Sequence, residues 1–263
     1  MTLLQSINLG ILQGITEFLP VSSSLHLAVA SHLMELPNQR YAFDLCLNFG
    51  SLLAILAFYH QDIRNMLMGC RDTLNGNFSR NSKFLCLLIV SSLPTIIIGG
   101  IVDVFLKINF CMEITPVTVI FFAVILLLCD RTAVHQKTIS LWQGLGIGLA
   151  QSVALIPGVS RLGITISMMR YMGYSRKDSF YFSLLLSIPV VSGAIFLTML
   201  KVFTGRIILE DGTLLGAGCL AAFLCGLLTI FLMTIFLKKH SFLGIIVYRI
   251  IFGLLMIVHY ISR

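Results

Sequence analysis

Phe18-Leu19-Pro20-Val21-Ser22-Ser23-Ser24 and Ile156-Pro157-Gly158-Val159-Ser160-Arg161 are polar interruptions in two otherwise apolar segments, near residues 3–36 and 139–172. Proline removes an amide donor and disfavours helix in the residue before it, so each segment breaks at its polar cluster. Broken backbone is tolerated at membrane depth only where protein or a water-filled cavity covers it. Each segment therefore reads as a re-entrant helix-loop-helix hairpin.

The rest of the chain supplies the membrane. Six stretches nearly free of Asp, Glu, Lys and Arg approach the roughly 20 residues a bilayer requires; they lie near 45–61, 84–102, 114–129, 179–200, 212–237 and 243–262. The 263 residues are 57% hydrophobic and 11% charged, where a soluble domain carries about a quarter charged residues. No Lys or Arg precedes Arg40, so the basic start of a secretory signal is missing and the first apolar stretch is expected to stay. The net charge of +7 is spread singly between apolar runs, which reads as topology signal and predicts no nucleic-acid partner. Cys46, Cys70, Cys86, Cys111, Cys129, Cys219 and Cys225 show no metal-binding spacing and read as small core or lipid-facing residues.

Hairpins that enter and leave on one side do not alter the alternation of loops. With Arg64, Arg71, Arg80 and Lys83 placed in the cytoplasm, Arg131, Lys137, Arg170, Arg176, Lys177, Lys238 and Lys239 fall there too, leaving Arg40, Lys107, Lys201, Arg206 and Arg263 outside. That asymmetry obeys the positive-inside rule. Both termini then face outward, the first hairpin enters from outside and the second from the cytoplasm. The hairpins also match each other. Pro157 minus Pro20, Ser160 minus Ser23 and Phe180 minus Phe43 all give 137, which points to a duplication. Each half holds one hairpin and three spans, and an odd number of spans inverts the second copy. The predicted fold is an all-α polytopic membrane protein, six transmembrane helices plus two re-entrant hairpins in an inverted repeat. It forms one integral domain over 1–263, with halves of about 1–130 and 139–263.

Glu17, Arg161 and Arg249 are ionisable residues inside apolar segments. Each costs about 3 kcal/mol at a helix centre, so such residues face a protein cavity or pair with one another. Glu17 and Arg161 flank the breaks and read as functional; Arg249 fits a structural ion pair equally well. Helices restarting near Ser22 to Ser24 and near Ser160 to Arg161 present free amides and positive dipole ends to phosphate oxygens. The serines add hydroxyls, and Arg161 adds a planar fork suited to phosphate. Gln13 and Glu17, at i and i+4, share a helix face and offer hard oxygens to Mg²⁺ or Ca²⁺. His26 lies within reach of Ser22 and Ser23 on the next half-helix, so it is a candidate acid or base. His32, His60, His135, His240 and His259 lack such neighbours and read as interfacial.

These residues carry a family resemblance. Gln13-Gly-Ile-Thr-Glu17-Phe-Leu-Pro20-Val-Ser-Ser-Ser24-Leu-His26 resembles the (E/Q)xxxE segment, with its serines and histidine, of the bacitracin-resistance type of undecaprenyl-diphosphate phosphatase. Pro157-Gly-Val-Ser160-Arg161-Leu-Gly-Ile-Thr165 resembles that family's PGxSRSxxT segment, and the similarity extends to Phe43-Asp44 and Tyr248-Arg249. The resemblance implies an inner-membrane enzyme of bacteria that converts undecaprenyl diphosphate to the monophosphate, recycling the lipid carrier of cell-wall synthesis. It also implies a divalent cation, a dimer, and bacitracin resistance when the protein is abundant. Carried over, it assigns Glu17 and His26 to catalysis, Ser23 to catalysis or phosphate contact, and Arg161 with Ser160 to the diphosphate, where Arg161 holds the charge during catalysis. Ser22, Ser24, Ser160, Gly158 and Thr165 go to the substrate, and Glu17 and Gln13 to the metal. This sequence departs from the pattern at Gln13, where many members have Glu, at Leu162 for the second Ser of SRS, and at Leu25 for the Gly before the histidine.

Phosphoryl transfer then runs in line at the terminal phosphate, either by attack of Ser23 or His26 or through a water activated by His26 and Glu17. The rival from architecture is an ion-coupled transporter or lipid flippase, because such proteins also join inverted repeats through broken helices. A lipid phosphatase of the soluble-acid-phosphatase-like type is disfavoured, since no histidine follows Arg161 until His240. A purely structural membrane protein gains nothing from a buried Glu and Arg beside broken helices. The outward opening of the first hairpin favours hydrolysis at the outer leaflet.

Overall fold

The computed structural model describes residues 1–36, 41–105, 114–136, 138–204 and 211–261, with no strand among them. Arg40, Lys107, Lys137, Arg206, Arg263 and Cys111, used above, lie outside the described residues. In chain order the helices are α1 (Leu3–Thr16), α2 (Ser23–Leu33), α3 (Tyr41–Phe58), α4 (His60–Leu74), α5 (Arg80–Phe105), α6 (Thr115–Asp130), α7 (Leu141–Ser152), α8 (Arg161–Tyr171), α9 (Arg176–Phe203), α10 (Gly212–Phe236) and α11 (Leu243–Ile261). A single 3-10 turn, Val153–Leu155, follows α7. Both expected interruptions are present: α1 and α2 are separated at Pro20, and α7 and α8 at Pro157.

The two broken segments are built alike. Each starts with a capping box, Thr2 with Gln5 in α1 and Ser140 with Gln143 in α7, which satisfies amides a helix start leaves unpaired. Each then presents two glycines four residues apart to a neighbour. A Cβ on Gly10 would stand 2.3 Å from the carbonyl oxygen of Gly218 on α10, and one on Gly148 would stand 2.0 Å from that of Ser91 on α5. Lipid gives helices no hydrophobic reason to associate, so this close backbone approach supplies the packing.

Three cores follow. Leu9, Leu27, Phe43, Leu47 and Ala222 join α1, α2 and α3 to α10. Leu87, Leu88, Ile147, Met169, Phe182, Leu185 and Leu186 join α7, α8 and α9 to α5. The third draws Ala54, Ala123, Leu162, Phe180, Ile230 and Ile246 from both halves. Outward, Leu220, Leu224, Leu228 and Phe231 expose a continuous apolar stripe on α10, as Ile97 and Ile101 do on α5. Apolar surface of this extent suits a lipid solvent.

The spans come out less uniform than the sequence predicted. Among the described residues three helices, over Arg80–Val102, Arg176–Phe203 and Gly212–Phe236, are long and apolar enough to cross a membrane. The expected span 45–61 ends at Phe58, and the chain turns by 84° into α4; the bent pair passes the same test only when taken together. α4 occupies what the charges Arg64 and Arg71 had marked as a loop. Its Ile63, Leu67, Cys70 and Leu74 fall on one helical face, the period that identifies an amphipathic helix. α6 has 16 residues, about 24 Å at 1.5 Å per residue, and is counted with α11 among the shorter apolar helices.

Candidate active site

Glu17 caps the C-terminus of α1. The chain then crosses Phe18 to Val21 and reverses at Ser22, whose φ of 75° lies in the left-handed region, and α2 begins at Ser23. The second break ends the same way: Ser160 has φ 69° and α8 begins at Arg161. A left-handed conformation costs a residue with a Cβ about 1–2 kcal/mol, and such strain collects where side chains must be aimed. Gly158, at φ 90°, relieves the second loop of a further penalty; a Cβ there would meet the Thr115 carbonyl oxygen at 2.9 Å.

Glu17 and Arg161, 144 residues apart, meet. Arg161 Nη2 donates to Glu17 Oε1. Ser23 Oγ donates to Glu17 Oε2 at 2.5 Å, and Gln13 Nε2 donates to the same oxygen at 3.2 Å. A hydroxyl on a carboxylate that is itself held by a guanidinium is the arrangement of a nucleophile, its base and the group that orients the base.

This trio forms the floor of a pocket of about 370 Å³. Ser22, Ser24, Gly158 and Ser160 line it as well. Its two walls differ. Asp44 and Asn48, at i and i+4 on α3, bring a carboxylate and an amide; Ile156 and, on α9, Val190, Val191, Ala194 and Ile195 make the other wall mostly apolar, with Thr198 adding one hydroxyl. A charged floor under a greasy wall suits a ligand with an anionic head and an apolar tail.

Three expected site residues stand back from the pocket. His26 is 6% exposed; its Nδ1 lies 2.8 Å from the Ser22 carbonyl oxygen and its Nε2 lies 2.7 Å from the Tyr248 hydroxyl. Its ring stacks on Phe252 with centroids 4.5 Å apart, so both nitrogens are engaged away from the pocket. Thr165 is fully buried and returns its hydroxyl to the carbonyls of Arg161 and Leu162, in its own helix. Gln13 is fully buried behind Glu17, with Nε2 shared with Asn48 Oδ1 at 3.3 Å and Oε1 without a hydrogen-bond partner. The helix period that put Gln13 and His26 on promising faces, and the resemblance that assigned Thr165, do not say which faces meet the cavity.

Asp44 and Asn48 were not singled out from the sequence as site residues. The available signal was an ionisable residue and an amide one turn apart at the head of an apolar helix. Among the described residues no three His, Cys, Asp or Glu cluster tightly enough to cage a metal. Mg²⁺ seldom needs such a cage, since it is usually held by one or two carboxylates together with substrate phosphates and water. Glu17, Asp44 and Asn48 around one pocket fit that mode.

Comparison with known proteins is consistent over the whole length. Residues 6–255 match the family model described as bacitracin resistance protein BacA. A Roseobacter denitrificans protein named undecaprenyl-diphosphatase is 36% identical, covering 98% of this chain and 99% of that protein. Proteins of the same name from Ruegeria pomeroyi, 35% identical with 98% of each chain covered, and Saccharophagus degradans, 32% identical with 96% of each covered, agree. With its two broken helices, the paired Glu17 and Arg161 and full-length similarity to these proteins, the chain belongs to the BacA family.

Proposed function

We propose that this chain hydrolyses undecaprenyl diphosphate to undecaprenyl phosphate and inorganic phosphate, and so recycles the lipid carrier of cell-wall synthesis. The observation that carries the reading is the Ser23–Glu17–Arg161 constellation on the floor of a half-apolar pocket. Its relatives' name supplies the substrate. The diphosphate sits on the floor, with the first prenyl units along Val190 and Ala194.

The geometry favours Ser23 as the attacking group. Its oxygen forms a bond to the terminal phosphorus as its proton passes to Glu17; the bond from that phosphorus to the bridging oxygen breaks, and undecaprenyl phosphate leaves. Water then attacks the phosphoserine: its oxygen bonds to phosphorus as the phosphorus–Oγ bond breaks, Glu17 returns its proton to Ser23 Oγ, and inorganic phosphate leaves carrying the protons of the water. Arg161 exchanges its contact with Glu17 for the phosphate oxygens, where a planar fork meets developing charge. Glu17, Asp44 and Asn48 would hold a divalent cation, which when bound neutralises diphosphate charge. His26 keeps the Ser22 carbonyl in place behind the nucleophile.

The finer architecture belongs to the same reading. Six membrane crossings and two hairpins, with halves inverted, account for the exchange of partners between α1 on α10 and α7 on α5. On this reading the chain works in the bacterial cytoplasmic membrane, and its long apolar helices support a multi-pass protein.

Purified protein in detergent, with no second compartment, tests the reading. It is expected to release phosphate from undecaprenyl diphosphate, to stop when divalent cations are chelated, and to resume when Mg²⁺ or Ca²⁺ is restored. A transporter or flippase would release none, and that result would end the proposal.

A further inference from the structure

Arg249 on α11 is 1% exposed and absent from the pocket wall, so the chemistry above leaves it unused. Its guanidinium donates from Nη1 to the carbonyl of Pro20 at 3.0 Å, and from Nη2 to the carbonyls of Gly158 and Val159, both at 3.1 Å. Those carbonyls belong to the two helix breaks, where the backbone has lost its helical donors. Among the described residues no carboxylate forms an ion pair with it, so carbonyl dipoles hold its charge. A neutral side chain would avoid the cost of desolvating a cation. What the cation brings is a rigid planar fork that reaches two separate loops at once.

The preceding residue acts on the same place. Ser22 offers a carbonyl to His26, so Nδ1 carries the proton, and in the neutral ring Nε2 accepts from the Tyr248 hydroxyl. Ser22 is the left-handed residue that aims Ser23 at Glu17. Tyr248 thus reaches the first break through His26, while Arg249 reaches both breaks directly.

We infer that α11 is the strut that sets the register of the two re-entrant loops: Arg249 ties Pro20 to Gly158 and Val159, and Tyr248 with His26 fixes Ser22. All three are positioning residues, and Ser23, Glu17 and Arg161 meet because of them. The inference rests on the site proposed above but is separable from it by experiment.

The test compares full-length wild type, Arg249→Lys and Tyr248→Phe in detergent, by hydrogen exchange over residues 18–24 and 156–161 and by kcat and KM for undecaprenyl diphosphate. Lysine keeps the charge and loses the fork. Arg249→Lys is expected to speed exchange at both breaks together and to lower kcat by about 100-fold, the usual effect of a 1 Å misplacement, with little change in KM. Tyr248→Phe is expected to speed exchange at the first break and leave the second unaltered. Unchanged exchange at either break in Arg249→Lys would overturn the strut, as would wild-type kcat, or a loss confined to KM, which would mark a substrate contact. Should Arg249→Lys fail to fold, Tyr248→Phe decides, because unaltered exchange at residues 18–24 removes the lever. A wild type that releases no phosphate defeats the proposed function, while the exchange data still judge the strut.

Discussion

Ser23→Ala distinguishes attack by the hydroxyl from attack by water through the size of its effect. Ser23 Oγ donates to Glu17 Oε2 at 2.5 Å. Were that bond its whole contribution, with water as the nucleophile, the substitution would remove one charge-assisted hydrogen bond, about 1.5–3 kcal/mol. At about 1.4 kcal/mol per decade that is about 10–150-fold in kcat. If Ser23 forms the phosphoenzyme, its loss leaves only binding and electrostatic stabilisation, and by the measure of other nucleophile deletions kcat falls by about 10⁴-fold or more. We expect the larger loss. Glu17 retains Arg161 and Gln13 as donors, so the thermal midpoint should stay close to wild type. The assay is initial-rate phosphate release, beside acid quenching of a brief reaction with substrate labelled in its terminal phosphate. Label should remain on wild-type protein and be missing from Ser23→Ala. A loss of about 150-fold or less, or labelled protein from the alanine variant, would refute attack by Ser23.

Three further outcomes follow from the same geometry. Arg161→Lys can still pair with Glu17 but cannot place two parallel donors on phosphate, so kcat/KM should fall about 10–100-fold with little change in Tm; kinetics and a thermal melt check both. Ala194→Trp fills the apolar wall, and should raise KM for undecaprenyl diphosphate about 10-fold, equivalent to about 1.4 kcal/mol, while a short-chain prenyl diphosphate is turned over near the wild-type rate. In Gly148→Val a Cβ would press on the Ser91 carbonyl oxygen at 2.0 Å. Overpacking of this kind costs about 1–3 kcal/mol, so a melt should show Tm lower by several degrees.

Part of the candidate site is readable from local chemistry. Pro20 and Pro157 announce broken helices because a missing amide acts within a few residues, and both breaks lie where the sequence put them. Glu17 and Arg161 stood out because an ionisable group in an apolar run is costly wherever the chain folds. What stayed hidden depends on partners distant in sequence. His26 was expected at the reaction centre, but Tyr248, 222 residues away, takes its Nε2. Thr165 turns its hydroxyl back on its own helix. Asp44 joins the pocket only because α3 packs beside α1. α4 is hidden for another reason: its charges read as a loop, although its apolar residues repeat with a helical period.

The order of residues alone dictates the solvent, the helical class, the places where helices break and the identity of the charged pair, since all of these follow from transfer energies and backbone sterics local to each segment. Which polar side chains face the cavity, which stand behind it, and what becomes of Arg249 depend on packing between remote segments. Those outcomes turn on the meeting of two half-helices and α11 from remote parts of the chain, and a hydrogen bond across the fold leaves no periodic trace in the order of residues.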